Sequence, residues 1–226
     1  MPDALIDRLV SAVEKFPRTT PVRVAIDGPD AAGKTTLADV LAAALVEAGR
    51  TVIRASLDGF HRPRAERYRQ GELSPEGCFA DSFDLEALRV ELLDPLGPGG
   101  SRRYRVAVFD PAADAAVSSE PSVAPDEAVV VVDGVFLLRR ELRSFWDFSV
   151  FVSVGVGELL RRARQRDTER FGTVEEVERR YRQRYLPAQR LYMENEQPLG
   201  HAHVIVENDD PSHPLVVRFE LPKIGP

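Results

Sequence analysis

Gly28-Pro29-Asp30-Ala31-Ala32-Gly33-Lys34-Thr35-Thr36 fits the pattern G-x-x-x-x-G-K-[ST]. Between a strand and a helix, this pattern is a phosphate-binding loop, or P-loop. Both neighbours are in the sequence: the apolar run Val22-Arg23-Val24-Ala25-Ile26 precedes it, and Leu37, Val40, Leu41, Ala44, Leu45 and Ala48 recur after it at helical spacing. Gly28 and Gly33 let the backbone turn successive amides toward an anion, and Ala31 and Ala32 complete the cradle. A helix opening near Lys34 adds the positive end of its dipole. Lys34 places a charge on the β- and γ-phosphates, the Thr35 hydroxyl can ligate Mg²⁺, and Thr36 supports the α-phosphate side. The stretch predicts binding of a nucleoside triphosphate with Mg²⁺ and is silent about what the triphosphate is for.

Upstream, residues 3–16 read as an amphipathic helix at the sheet edge, with Leu5, Leu9, Val13 and Phe16 on one stripe and Asp3 as cap. Pro17 and Pro21 bound a linker into a strand at 22–27. Downstream, Gly49 closes the P-loop helix. A second strand at 51–56 then delivers Leu57-Asp58-Gly59-Phe60-His61-Arg62-Pro63-Arg64. Ligands of open parallel sheets bind beyond the carboxyl ends of the strands. Asp58 therefore falls where an acceptor would meet the terminal phosphate, although an Asp-Gly pair also reads as a plain turn. Residues 62–80 carry Arg62, Arg64, Arg67 and Arg69 and predict a loop or short helix. Residues 84–93 predict a short helix with Leu85, Leu88 and Leu92 inward, 104–109 a strand ended by Asp110-Pro111, and 111–127 a surface excursion.

Val129-Val130-Val131-Val132-Asp133 is a β-branched run closing on an acid. Such a run marks a parallel strand covered on both faces, and in P-loop proteins the acid ending it holds Mg²⁺ directly or through water. Another buried strand is read at 148–154. The helix 158–170 carries five arginines, of which Arg162, Arg166 and Arg170 share one face. That face reads as a lid over a transferring phosphoryl group, against a solvated face paired with Asp167 and Glu169. Residues 173–195 predict a long helix kinked at Pro187, with Val174, Val177, Tyr181, Tyr185, Ala188 and Tyr192 on a core stripe. Residues 203–207 close the sheet and 215–221 add an edge. His201 and His203 lack a third ligand and are not read as a metal site; His61 is the histidine near the proposed site.

The 226 residues are 43% hydrophobic and 29% charged, which suits one α/β domain over 1–226 with a core at 22–208 and a lid at about 156–172. The net charge of −6 disfavours a nucleic-acid surface. The single cysteine, Cys78, excludes a disulfide within the chain and a cysteine-based zinc cluster, and fits a reducing, cytoplasmic setting. The N-terminus does not read as a signal peptide, and no apolar run is long enough to cross a membrane. Self-association is left open.

Together these pieces resemble the uridine kinase-like branch of P-loop small-molecule kinases, which also holds phosphoribulokinases and bacterial pantothenate kinases. The matching stretches are Gly28 to Thr36, Ser56-Leu57-Asp58-Gly59-Phe60-His61, Asp81-Ser82-Phe83-Asp84, Val108-Phe109-Asp110, Val132-Asp133-Gly134-Val135 and the arginine helix through Arg166-Asp167. They run in family order over about residues 20–208. The resemblance implies a three-layer α/β sandwich with a mostly parallel sheet and an arginine lid. It implies Asp58 as general base on an acceptor hydroxyl, Thr35 and Asp133 as Mg²⁺ ligands, and Arg162 and Arg166 as lid arginines, with Arg170 a third. It implies acceptor contacts from Asp58, Phe60, His61, Asp81, Phe109 and Arg166. The expected reaction is phosphorylation by ATP of a hydroxyl on a small metabolite. Uridine or a related nucleoside comes first, with pantothenate, a sugar or a sugar phosphate as alternatives. The departures fall on the nucleoside side. Asp133 stands for a family glutamate, Cys78 for a ribose-binding acid, and Phe109-Asp110-Pro111 with Asp114 for the base-reading residues. A nucleotide-switched binding protein is the competing class, but the chain has no Asn-Lys-x-Asp guanine reader and little for metal delivery. An inert nucleotide-binding scaffold is argued against by the presence of Lys34, Thr35 and Asp58.

Overall fold

The apolar runs of the sequence become the strands of one sheet. The computed structural model describes residues 3–221, so residues 1–2 and 222–226 of the expected domain lie outside the described residues. The strands are β1 (Val22–Asp27), β2 (Val52–Ser56), β3 (Val129–Gly134), β4 (Phe148–Ser153), β5 (Val204–Glu207) and β6 (Leu215–Phe219), in the order β6-β5-β4-β1-β3-β2. All neighbours are parallel except β5 and β6. β1 and β3 are buried at every position, as continuous apolar strands must be. In register, Asp133 lies opposite Ile26 on one side and Ser56 on the other. The carboxyl ends of β1, β3 and β2 therefore finish side by side.

The main helices are α1 (Asp3–Val13), α2 (Lys34–Glu47), α3 (Pro75–Asp81), α4 (Val156–Phe171), α5 (Val174–Arg180) and α6 (Leu186–Glu196). On one face of the sheet, Leu9 of α1 and Leu37, Leu41 and Leu45 of α2 pack with Val24, Ile26 and Val150. On the other, Ala188 and Tyr192 of α6 join Ala25, Val130 and Val132. α4 and α5 share a smaller cluster (Leu159, Ala163, Val177, Tyr181) that reaches Ala31 of the P-loop. The result is the expected three-layer α/β architecture with a mostly parallel sheet. Each fully buried Leu or Val contributes about 1.5–3 kcal/mol by removal from water, so these two faces supply most of the drive for the fold.

Four local readings change. α1 stops at Val13, because the chain tightens into i→i+3 turns at Lys15 and Phe16 before Pro17; Phe16 is still partly buried. The expected strand at 104–109 is not in the sheet. Arg103–Tyr104 pairs with Ser122–Val123, and Phe109–Asp110 with Ala115–Ala116. The amides between them bond elsewhere, Arg105 N to Glu91 O at 2.8 Å and Val108 N to Gly59 O at 2.8 Å. The helix of 84–93 begins with Leu85–Leu88 and widens into π turns over Arg89–Leu93. The long helix of 173–195 is α5 and α6 joined by a π turn at Tyr181–Tyr185, and the Leu186 N–H donates to Tyr181 O. The widened turn lies just ahead of Pro187, which has no N–H to give the helix ladder.

Candidate active site

The P-loop leaves the end of β1 and turns into α2 at Lys34. Gly28 has φ of +144°, and a Cβ there would lie 2.1 Å from the carbonyl oxygen of Val152 on β4. Only glycine allows this approach of two backbones. Gly33 has φ of +94°, and a Cβ would meet the Asn208 amide at 2.6 Å. Ala32 is fully buried and Ala31 nearly so, while Thr36 is exposed on the first turn of α2. Lys34 is also buried, and its ammonium donates to Pro29 O at 2.7 Å. Burial lowers the Lys34 pKa, opposed by the carboxylates of Asp30, Asp27, Asp133 and Asp58. These four carboxylates make the surroundings of the ammonium electronegative.

Thr35 Oγ1 donates to Asp133 Oδ2 at 2.6 Å, joining the two residues expected to hold metal across 98 residues of sequence. The other oxygen, Oδ1, receives Arg54 Nη2 at 2.8 Å. A hydroxyl and a buried carboxylate side by side are hard oxygen donors. They suit Mg²⁺, which takes one or two protein ligands and keeps waters and phosphate oxygens for the rest. Among the described residues no group of three or more His, Cys, Asp or Glu side chains is placed to form a metal cage.

Two supports of this site have no counterpart in the sequence reading. Asp27, the last residue of β1, is fully buried. It accepts from Gly28 N at 2.7 Å, from Leu138 N at 3.0 Å and from the Tyr192 hydroxyl. Burial pushes its carboxyl above the ordinary range, against the pull of those three donors and Lys34. The hub ties the start of the P-loop to the loop after β3 and to α6. Asn208, just past β5, donates from Nδ2 to Ala32 O at 2.7 Å, while its backbone N–H donates to Ser153 O at 2.8 Å. An acid closing an otherwise apolar strand was a visible signal for Asp27; Asn208 had none. Arg54 was likewise visible only as a polar residue inside a strand.

On the acceptor side, Asp58 sits in a short 3₁₀ turn (Leu57–Phe60) beyond β2, with its side chain 72% exposed. Its carbonyl meets His61 Nδ1 at 2.9 Å, and its carboxylate lies 3.8 Å from the same nitrogen. Burial lowers the His61 pKa, and the Asp58 carboxylate pulls it back up. The imidazole rests on Phe83, 4.5 Å between centroids. Phe60 is fully buried in the core, so the expectation that it contacts an acceptor is corrected: in the 3₁₀ turn the side chain two residues after an exposed one points inward. Phe109 is buried in its hairpin, and Asp81 accepts from Gln70 at 2.8 Å and Arg69 at 3.2 Å. Both flank the Asp58 turn with their contacts largely satisfied within the chain. Cys78 is buried, which pushes its thiol up to about 12. Asp114 holds Arg64 N at 2.9 Å and Arg67 Nη2 at 3.0 Å. Arg184, 2% exposed, donates to Ser74 O at 3.0 Å and fastens the 62–82 segment to the π turn before α6.

The arginines of α4 divide. Arg162 reaches the P-loop, with donors on Asn208 O at 2.5 Å, Asp209 O at 3.0 Å and Ala32 O at 3.4 Å. Arg166 is half exposed and paired with Asp167 at 2.7 Å and the Tyr181 hydroxyl at 3.1 Å. The structure thus brings Arg162 to the P-loop backbone and holds Arg166 beside it on the α4–α5 interface, one turn further along.

No family model matches the chain, and no curated protein sequence matches it. Solved structures do. A possible uridine kinase from Bacillus stearothermophilus is 24% identical with a TM-score of 0.69, over 88% of this chain and 96% of that one. A candidate fructose transport system kinase from Silicibacter sp. TM1040 is 26% identical with a TM-score of 0.68, over 84% and 93%. The D-glycerate 3-kinase from Cryptococcus neoformans var. grubii is 14% identical with a TM-score of 0.65, over 95% and 100%. The resemblance to uridine kinase-like P-loop kinases read in the sequence therefore holds in three dimensions, and the chain has their fold.

Proposed function

We propose that the chain is a cytoplasmic, ATP-dependent kinase that phosphorylates a hydroxyl of a small metabolite, with uridine or a related nucleoside as the first acceptor to test. The observation that carries this reading is the convergence of Lys34, the Thr35–Asp133 pair and the exposed Asp58 at the carboxyl ends of three adjacent strands. Solved structures of the same fold named as uridine, fructose-transport and glycerate kinases add support. Pantothenate, a sugar and a sugar phosphate are the alternative acceptors; Arg69 and the exposed edge of Arg62 favour an anionic one.

The residues divide the work. ATP would be the phosphoryl donor, and Thr35 and Asp133 are the residues that would hold its Mg²⁺, which would offset phosphate charge. Lys34 exchanges its Pro29 carbonyl for phosphate oxygens and neutralises their charge. Asp58 orients the acceptor hydroxyl in line and takes its proton late, as suits a loose transition state. The acceptor oxygen gains the bond to phosphorus that the β–γ bridging oxygen loses. The arginines of α4 close over the site and exclude water, which would otherwise accept the phosphoryl group.

The test is ADP release with Mg-ATP across uridine, cytidine, other nucleosides, pantothenate, pentoses and pentose phosphates. Stimulation by an acceptor supports the reading and names the substrate, whereas ATP binding without stimulation by any acceptor refutes it. Asp58→Asn is expected to keep ATP binding and lose transfer by several orders of magnitude. Near-normal turnover in that variant removes Asp58 as the base.

A further inference from the structure

A cavity of about 530 Å³ opens at the base of the lid, between the end of β4, the first turns of α4 and the start of α6. Its size is that of small-molecule sites, which run from roughly 300 to 1,000 Å³. Phe151, Leu159, Leu186 and Met193 give it apolar walls, and Pro29 closes it against the P-loop. Lys34, Thr35, Asp58, Asp133 and Arg162 are not among its lining residues, so it shares only Pro29 with the site described above.

Its charged groups are of one sign. Arg182 and Arg190 line it, and no acidic side chain does. Arg190 forms no ion pair among the described residues; Arg182 has Glu178 at 3.3 Å, with its side chain 57% exposed. Gln189, 8% exposed, also lines the cavity, and its Nε2 is buried with no hydrogen-bond partner. An orphaned buried amide costs about 1–3 kcal/mol, and the residue that carries this one is part of the cavity wall. Apolar walls, two cationic rims and an unused amide donor together describe the complement of an amphiphilic anion.

We propose that this cavity binds a small organic anion, with an apolar body against Phe151 and Leu186 and a carboxylate or phosphate head toward Arg182, Arg190 and Gln189. Pro29, whose carbonyl holds the Lys34 ammonium, is shared between the cavity wall and the P-loop. The inference does not rest on the kinase reading, since it concerns other residues and is read by binding alone.

The test is fluorescence titration of the full chain with 8-anilinonaphthalene-1-sulfonate, an aromatic anion. Val156 lines the cavity and is 55% exposed on the first turn of α4, so Val156→Trp fills the space without disturbing the core. It is expected to weaken the probe at least tenfold, as is the double charge reversal Arg182→Glu/Arg190→Glu. Octanoate and hexyl phosphate are expected to displace the probe, the better of the two naming the head group, and octyltrimethylammonium is expected to leave it bound. Mg-ATP is expected not to compete. Unchanged binding in both variants, equal displacement by the cation, or displacement by Mg-ATP overturns the proposal. So does loss of probe binding on self-association, which gives the cavity to a second copy of the chain.

Discussion

Tyr192→Phe removes a single oxygen from the most buried polar hub of the protein. The ring stays, with Phe136 at 5.1 Å and Phe79 at 6.2 Å between centroids, so packing is unchanged. What is lost is one of the three donors to Asp27, a side chain with no solvent contact to replace it. Leu138 N also loses its second acceptor, now 2.9 Å away. Removing a partner from a buried, charge-bearing group costs about 1–3 kcal/mol. Two donors remain on Asp27, which places the expected loss near 2 kcal/mol, roughly a 30-fold change in the folding equilibrium. With a urea slope of about 3 kcal/mol/M for a chain of this size, the midpoint falls by about 0.7 M at constant slope. Tyr185→Phe is the matched control. Its ring packs edge-on against Tyr181 at 5.1 Å and its hydroxyl forms no hydrogen bond within the described residues, so its midpoint is expected to move by less than ~0.2 M. Urea unfolding followed by circular dichroism reads both. Equal midpoints for the two variants would refute the claim that Asp27 depends on Tyr192.

Further outcomes follow from the same geometry. Asn208→Ala leaves the Ala32 carbonyl with only the long Arg162 contact at 3.4 Å and is expected to weaken Mg-ATP binding about tenfold by calorimetry with the fold retained; an unchanged dissociation constant counts against the clamp. Glu158 is held down to about 2 by hydrogen bonds first from Arg161 and then from Arg162. A lowered folded pKa means its contribution is present above the ordinary value of 4.5 and lost as pH falls from there toward about 2. Glu158→Gln is therefore expected to flatten that acid limb of the stability–pH curve, and an identical limb rejects the assignment. Cys78, its thiol pushed up to about 12, is expected to resist a thiol reagent at pH 8, where only ~10⁻⁴ of it is ionised, and to react fully in urea. Fast labelling of the native chain would show that the α3 segment opens.

Much of the frame was legible because it is written in continuous runs. Val22–Ile26 read as a strand and Val129–Val132 as one covered on both faces, and their pairing in the sheet puts Asp133 beside Thr35. The P-loop read directly, since its function lies in backbone conformation that only a few residues permit. The residues around it did not read. Asp27 acts through three partners, two of them more than 50 residues away, and no spacing announces such a hub. Arg162 looked like a free lid charge, yet most of its donors are committed to carbonyls of two loops. Phe60 was implied as an acceptor contact by the family element it shares with Asp58, but within the 3₁₀ turn its side chain goes to the core while that of Asp58 stays exposed. The alternation at 104–109 was too short to distinguish a sheet strand from a docked hairpin, because what decides between them is the partner of each amide.

The bond from Asn208 to Ala32 closes a gap of 176 residues. During synthesis the phosphate loop emerges early and lacks this brace until the end of β5 has been made. At about 5–20 residues per second, the interval is roughly 9–35 s. Over that time the nascent chain displays the glycine-rich motif without the residue that fixes its shape. On the proposed reading, full-strength nucleotide capture then becomes a late event in the life of each new molecule, since a chain ending before Asn208 lacks the bond that braces its P-loop.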